Sequence, residues 1–481
     1  MYYIISPGRP EPLRAGETRG GVFWYNLRVK MKWIVYNLLF AVVYPLLLPG
    51  FLVRMLRRGG YAKRFGDRFA LYPPGLFGEG RGLFDSHGGY RPGPEGFVWI
   101  HAVSVGEVQV AGQLMREWRA AEPGVRFCFS TTSSTGWKVA AREVTDRDVL
   151  IYNPLDFPNF VKSALRTVRP RAVVLTESEI WPNFIRMARR CGIPLFLVNA
   201  RVSDRSAPRY RMARWWFGDV FRCFARIFAQ SDVDRDRLVA AGAPADRVDV
   251  TGSFKFDAAH RNEAKERELE KWIFGEAGRG GSAPCKLLLG GSTWPGEDEA
   301  MLSAYRSLLD SRPGFSPILV IAPRHFEKAD AIEANIAAAG FACVRRSRHN
   351  DSKPPKPSKP PEPPSPVFLA DTTGELMGLY GIADAVFVGK SLCAHGAQNM
   401  IEPCLCGKPT VVGPNTENFR PVMNDLRAAD AIAEVRDAAE LSSRLAELLA
   451  DDGGLGARAA EAVARRRGVV AKCVAKIREA L

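Results

Sequence analysis

The sequence predicts an α/β protein of two domains, each built on a parallel β-sheet covered by helices. Three observations carry that expectation. Short strand-like runs alternate with helical stretches along most of the chain, the pattern of parallel strands joined by helical crossovers. A Gly-rich interval, "GEAGRGGSAPC" (275–285), interrupts the alternation before it restarts. The 481 residues also exceed what one hydrophobic core normally organises.

The N-terminal part, residues 1–65, reads as a tail and a membrane-anchor helix. Residues 33–51, "WIVYNLLFAVVYPLLLPGF", are 19 residues without a charge, about the length that crosses a bilayer. Over the first 70 residues there are twelve Lys/Arg against three Asp/Glu. Arg54, Arg57, Arg58, Lys63 and Arg64 follow the apolar run, where anionic headgroups attract them. No small-residue cleavage site follows, which argues against a signal peptide. Pro45 and Pro49 kink a spanning helix, so a monotopic helix lying half in the interface is the rival arrangement. A buried core helix is the third.

Residues 66–275 form the first α/β domain, with strand-like runs at 97–104, 125–132, 172–178, 194–200 and 226–231. Ala111, Leu114, Met115 and Trp118 keep the spacing of a helix with one apolar face. Residues 285–455 form the second domain, with runs at 286–292, 317–325, 367–371, 385–391 and 409–413. An insertion at 348–366 holds "SKPPKPSKPPEPPSP", eight prolines in fifteen residues, and is expected as an extended surface segment. Residues 456–481 close the chain as a C-terminal helix.

Composition narrows the function classes. The net charge of +15, from 67 basic and 52 acidic residues, asks for an anionic partner. Nucleic acid is disfavoured, because the basic residues lack aromatic interleaving or a known module. Nine cysteines without a framework spacing indicate reduced thiols and a cytosolic setting. Cys393, Cys404 and Cys406 lie too close in sequence, without further ligands, for a zinc site, and no metal is expected. No GxxxxGK[ST] motif and no convincing dinucleotide fingerprint is present, which argues against a nucleoside triphosphatase.

The informative residues stand at strand ends, where open α/β sheets bind ligands. The first domain offers Ser104, Gly106 and Glu107, then Glu177 and Glu179, then Asn199 and Arg201. The second offers Ser292, Arg324 with His325, Lys390 with Ser391, and "HGAQNMIEP" (395–403). Two such rims facing across a cleft hold two substrates, one per domain. Each feature has a plainer reading beside the functional one. Glu107 is either a favourable charge at a helix N-terminus or a proton acceptor. "TESEIWPN" (176–183) is either a helix start capped by Thr176 or Ser178, or a pair of working carboxylates. "APRH" is either surface charge or a phosphate or carboxylate site. Lys255 of "FKFD" is either solvated or near the junction of the domains. A helix starting near Asn399 leaves N–H groups for an anionic phosphate, with Glu402 one turn in to accept from ribose hydroxyls.

In order along the chain, "HAVSVGE", "TESEIWPN", "NARVSDRS", "FAQSDVDRDRLVAAGAP", "VTGSFKFD", "GSTWPGEDE", "APRH" and "HGAQNMIEPCLCGKPTVVGP" resemble the 3-deoxy-D-manno-octulosonic acid (Kdo) transferases of lipopolysaccharide biosynthesis. The resemblance spans residues 36–414. It implies the GT-B glycosyltransferase fold, with two Rossmann-like domains facing across a cleft behind the N-terminal anchor. It also implies inverting, metal-independent transfer of Kdo from CMP-Kdo to a lipid A precursor, with no cofactor, at the cytoplasmic face of the bacterial inner membrane. In that reading Glu107 is the general base, with Gly106 letting the acceptor approach beside Ser104. Glu177, Arg201 and Arg205 position the sugars or the base. Lys255, Arg324 and the chain at Asn399 stabilise the leaving phosphate. Glu402 holds the ribose, with Ser292, His325 and Ser391 completing the nucleotide site.

The sequence departs from the family pattern in places. Lys390 and Ala397 stand where the family has glycine, Gln398 where it has histidine, and Met400 where it has proline. Trp294 and Pro295 replace "HEGEE"-like residues. Lys390 either adds a phosphate contact or points to solvent. A GT-B enzyme using a UDP- or GDP-sugar shares the second-domain acid and phosphate arrangement. A non-catalytic, basic membrane-surface binding protein explains the charge and anchor, but not acids at strand ends.

Overall fold

The computed structural model describes residues 31–46, 49–50, 53, 64–78, 96–257, 261–275, 279, 284–311, 314–349 and 366–481. The tail 1–30, the basic stretch at Arg54, Arg57, Arg58 and Lys63, and residues 350–365 of the Pro-rich insertion lie outside the described residues. The chain divides into two compact units, residues 1–254 with 468–481, and residues 255–467.

Unit 1 carries a seven-stranded sheet in the order β3-β2-β1-β4-β5-β6-β7. Its strands are β1 (Phe97–His101), β2 (Phe127–Thr131), β3 (Val149–Tyr152), β4 (Pro170–Thr176), β5 (Leu195–Ala200), β6 (Arg226–Ala229) and β7 (Val248–Val250). All pairings are parallel. Its helices are α1 (residues 31–46), α2 (Val105–Ala121), α3 (Ser134–Ala140), α4 (Pro158–Val168), α5 (Pro182–Arg190), α6 (Ala207–Met212), α7 (Arg214–Phe221) and α8 (Asp232–Ala240). β1 is buried throughout, and its side chains alternate between two cores. Trp99 joins one, and Val98 and Ile100 the other, as the period-2 pleat requires of a strand covered on both faces. Ala111, Leu114, Met115 and Trp118 of α2 are fully buried, the face their spacing predicts.

Unit 2 repeats the plan with a seven-stranded parallel sheet in the order β10-β11-β9-β8-β12-β13-β14. The strands are β8 (Cys285–Thr293), β9 (Ser316–Pro323), β10 (Cys343–Arg345), β11 (Val367–Leu369), β12 (Ala385–Val388), β13 (Thr410–Val412) and β14 (Ala433–Glu434). Its helices are α9 (Glu263–Phe274), α10 (Glu297–Asp310), α11 (Ala329–Ala338), α12 (Leu376–Ile382), α13 (Ile401–Leu405), α14 (Arg420–Ala428), α15 (Ala438–Ala450) and α16 (Leu455–Ala464). The final helix, α17 (Val469–Glu479), belongs to unit 1.

Two boundaries differ from the sequence expectation. The units divide at Phe254/Lys255 and not near 280, because Leu269 and Trp272 of α9 join the unit 2 core with Phe368 and Leu379. Residues 456–481 are not one helix. Gly468, at φ 79°, separates α16 from α17. Ala459 and Val463 then pack in unit 2, while Val470, Cys473 and Ile477 pack in unit 1 beside α2.

The sequence leaves open whether the anchor spans the bilayer or lies in its interface, and residues 47, 48 and 51 of that run lie outside the described residues. Among the described residues no helix is long and apolar enough to cross a membrane. One face of α1 docks on unit 1. Trp33 is buried against Trp216, with ring centroids 5.0 Å apart, and the Arg186 guanidinium lies 4.4 Å from its ring. Lys32 pairs with Asp219 at 3.1 Å, Tyr36 donates to Asp156 at 3.0 Å, and Asn183 donates to Asn37 at 2.8 Å. Ile34, Val35, Leu38, Leu39, Val42, Val43 and Leu46 are exposed, Leu46 by 74%.

Candidate active site

In unit 1 the chain order reverses between β1 and β4, the switch point at which ligands of open α/β sheets bind. Ser104 follows β1 in an extended conformation and caps α2, accepting the backbone N–H of Glu107 at 3.2 Å. The Glu107 carboxylate receives the Ser104 hydroxyl at 2.9 Å, the Val103 N–H at 2.9 Å and, more weakly, the Thr176 hydroxyl at 3.4 Å. Thr176 is the last residue of β4 and also donates to the His101 carbonyl at 3.0 Å. The carboxylate therefore lies at the mouth of the β1–β4 gap. At Gly106 an added Cβ would meet only Ser104 Oγ, at 3.9 Å, so the approach is open there.

Glu177 sits at φ 52°, and its side chain accepts from Asn199 Nδ2 at 3.1 Å. Asn199 is itself buried at φ 52°, and its Oδ1 accepts the Phe254 N–H at 3.1 Å. Helix α5 starts only at Pro182, and its N-cap, Trp181, makes no side-chain cap. The capping reading of Thr176 or Ser178 is thus set aside. Arg201 and Arg205 are exposed beyond β5, and among the described residues no hydrogen bond or ion pair joins them to the carboxylates.

Two participants were not singled out in the sequence: His101, and Glu179 as a partner to it. Glu179 accepts the indole N–H of Trp181 at 2.9 Å. Burial, then the neighbouring Glu107 and Glu177 carboxylates, push it up to about 7. His101 is buried, and burial pushes it down to about 3, so its ring is neutral. Its Nδ1 faces the Ser130 hydroxyl at 2.9 Å and the Ser130 carbonyl at 3.2 Å, and the carbonyl, which can only accept, suits the tautomer protonated on Nδ1. In that tautomer Nε2 is a lone pair, buried and without a hydrogen-bond partner among the described residues, 3.9 Å from Glu179 Oε2. A protonated Glu179 matches that lone pair. The one available signal was the position of His101, an inward-facing polar residue ending a buried strand.

In unit 2 the order reverses between β8 and β12. A recess of about 150 Å³ opens at the carboxyl ends of its strands, lined by Ser292, Arg324, Thr372, Thr373, Gly374 and Glu375 among others. Ser292 and Arg324 were expected there. The segment 372–375 was not, although "DTTGE" follows a strand just as the other polar clusters do. Asn399 and Glu402 are joined by a hydrogen bond of 2.9 Å. Burial raises Glu402, while Asn399 and the Lys255 charge act against that rise. The Lys255 ammonium lies 4.9 Å from the Phe419 ring, so Lys255 stands on unit 2 with Glu402.

Two assignments in unit 2 change. The helix expected at Asn399 is α13, which starts at Ile401 and has five residues. Asn399 Oδ1 takes the Ile401 N–H at 3.2 Å, so this turn offers no free helix terminus to a phosphate. Ser391 is fully buried, with its hydroxyl bonded to the Val388 carbonyl and the Gly413 N–H. Its side chain ties β12 to β13 and does not reach a ligand. His325 bonds Glu327 at 3.0 Å and stacks on Trp294.

Two parallel-sheet units with polar residues gathered at their switch points have the architecture of the GT-B glycosyltransferases. The fold is shared with HepE from Anabaena, solved in complex with UDP, at 12% identity and a TM-score of 0.51 over 80% of this chain and 100% of that one. Residues 63–258 match the family model described as 3-deoxy-D-manno-octulosonic-acid transferase (kdotransferase). The 3-deoxy-D-manno-octulosonic acid transferase of Bordetella pertussis is 35% identical, over 81% of this chain and 86% of its own length. That of Haemophilus influenzae is 28% identical, over 86% and 90%. The chain belongs to the 3-deoxy-D-manno-octulosonic acid transferase family and is a glycosyltransferase.

Proposed function

We propose that the chain transfers Kdo from CMP-Kdo to a lipid A precursor, inverting the anomeric centre, in lipopolysaccharide core synthesis. The observation that carries the reading is the Glu107 carboxylate at the β1–β4 switch point, held by Val103, Ser104 and Thr176. Glu107 takes the proton of the acceptor hydroxyl as that oxygen bonds the anomeric carbon. The bond from that carbon to the donor phosphate breaks, and the electron pair leaves with CMP. General-base assistance of this kind contributes roughly 10²–10⁴ in rate. Arg324 and Lys255 offset the charge developing on the phosphate, and the Asn399–Glu402 pair addresses the ribose. The chemistry as written needs no metal or cofactor. Base and leaving group on opposite faces of the sugar give inversion.

Membrane attachment is part of the proposal. The exposed apolar side chains of α1, with the exposed Met212 and Trp215, support a monotopic helix lying in the interface of an anionic leaflet. In the same reading the enzyme works on the cytoplasmic face of the inner membrane. Mass spectrometry of lipid A precursor after incubation with CMP-Kdo tests the reaction and counts the sugars added. An unchanged acceptor mass, or transfer only from a UDP- or GDP-sugar, sinks it.

A further inference from the structure

Two departures from the family pattern, Trp294 and Lys390, form a stack with His325 at the unit 2 switch point. The Trp294 and His325 rings lie nearly parallel, centroids 4.9 Å apart at 10°. The Lys390 ammonium lies 4.9 Å from the Trp294 ring. Lys390 therefore neither reaches away into solvent nor pairs with an acid: among the described residues no carboxylate is within ion-pair distance of it. The Trp294 indole N–H is buried and without a partner among the described residues.

The backbone beneath is held in place by one carboxylate. Glu297 is fully buried, and its Oε2 accepts both the Trp294 N–H at 2.8 Å and the Lys390 N–H at 2.7 Å. Its Oε1 accepts Leu392 at 2.9 Å and Cys393 at 3.3 Å. A single side chain thus fixes the loops after β8 and β12 against each other. Lys390 is held at φ 59°, where glycine is at ease and lysine is strained. A strained residue fixed by its surroundings, carrying an unpaired cation over an aromatic face at a switch point, has the marks of a binding group.

We infer that Lys390, seated on Trp294, is a contact for the phosphate of the donor nucleotide. The inference rests on the nucleotide-sugar reading of unit 2. Lys390→Met should weaken CMP binding about tenfold by calorimetry and leave the binding of cytidine, which lacks the phosphate, within twofold. Lys390→Gly should weaken CMP equally while melting at or above the wild-type temperature, because glycine suits that backbone. Trp294→Leu should also weaken CMP, and the double variant with Lys390→Met should bind no worse than the weaker single variant. CMP affinity in Lys390→Met within twofold of wild type overturns the inference. So does a selective rise in KM for CMP-Kdo with CMP binding intact, which assigns Lys390 to the sugar carboxylate. If wild type binds UDP and not CMP, the donor reading fails, and the same comparison made with UDP decides Lys390.

Discussion

The Ser104 hydroxyl receives the Glu107 backbone N–H at 3.2 Å and donates to the carboxylate of the same residue at 2.9 Å. The plain reading of Glu107 as a helix-end charge and the functional one as a base are therefore one arrangement. The cap that starts α2 also aims the carboxylate. Glu107→Gln keeps the shape but removes the proton acceptor, and kcat/KM should fall by roughly 10²–10⁴ with little change in melting temperature. Ser104→Ala loses the cap, and about 1 kcal/mol of stability by denaturant titration, with a smaller loss of turnover.

The Asn399–Glu402 pair predicts a ribose-specific defect. Glu402→Ala should weaken CMP binding about tenfold or more, the worth of hydrogen bonds to a charged acceptor. The same substitution should hardly alter binding of 2′,3′-dideoxy-CMP, measured by competition. Equal losses for both nucleotides would place Glu402 in a structural role.

Glu179 and His101 make opposite contributions to stability against pH. A carboxyl near 7 in the folded protein and near its ordinary 4.5 when unfolded binds more protons in the folded state. Stability is therefore lost as pH rises from about 4.5 to about 7, by on the order of 3 kcal/mol. A histidine lowered to about 3 loses stability in the other direction, as pH falls below about 6.5. Glu179→Gln should gain on wild type between pH 5 and pH 8, measured by urea titration at both. A constant difference between the two proteins across that range would show that Glu179 does not hold a proton.

For α1, Leu38→Glu with Val42→Glu should abolish flotation with anionic vesicles and leave the melting temperature within a few degrees, since both side chains are exposed. Trp33→Ala, which empties a buried site, should cost roughly 3 kcal/mol of stability.

How much was legible follows a physical line. Ten central strands were readable, because strands buried on both faces are continuous apolar runs. The four that were missed, β3, β7, β10 and β14, are the outermost strands of the two sheets and have four, three, three and two residues. Length alone is not the reason, since β11 and β13 have three residues each and were readable; β7, β10 and β14 are only partly buried, and Asp249, Arg345 and Glu434 break their apolar pattern. Glu107, Glu177 and Asn199 could be found because strand ends mark them, and Glu402 because it stands one turn beyond Asn399 in "HGAQNMIEP". His101 could not, since the identity of a neutral ring depends on a neighbour, Ser130, from another strand. The docking of α1 was hidden for the same reason. Its apolar run is one-sided only in view of Asp156, Asp219 and Trp216, all far away in sequence.

Those short outer strands bear on how the protein keeps apart from its own copies. A sheet edge is a template for intermolecular pairing, and its reach scales with the number of free backbone groups in line. Edges of two to four residues offer an incoming strand very few hydrogen bonds. Self-association is then left to the greasy flank of α1, a surface that lipid or detergent covers and strand pairing does not involve. Material purified without either should clump reversibly and disperse on adding a mild detergent, with no gain of amyloid-type dye binding.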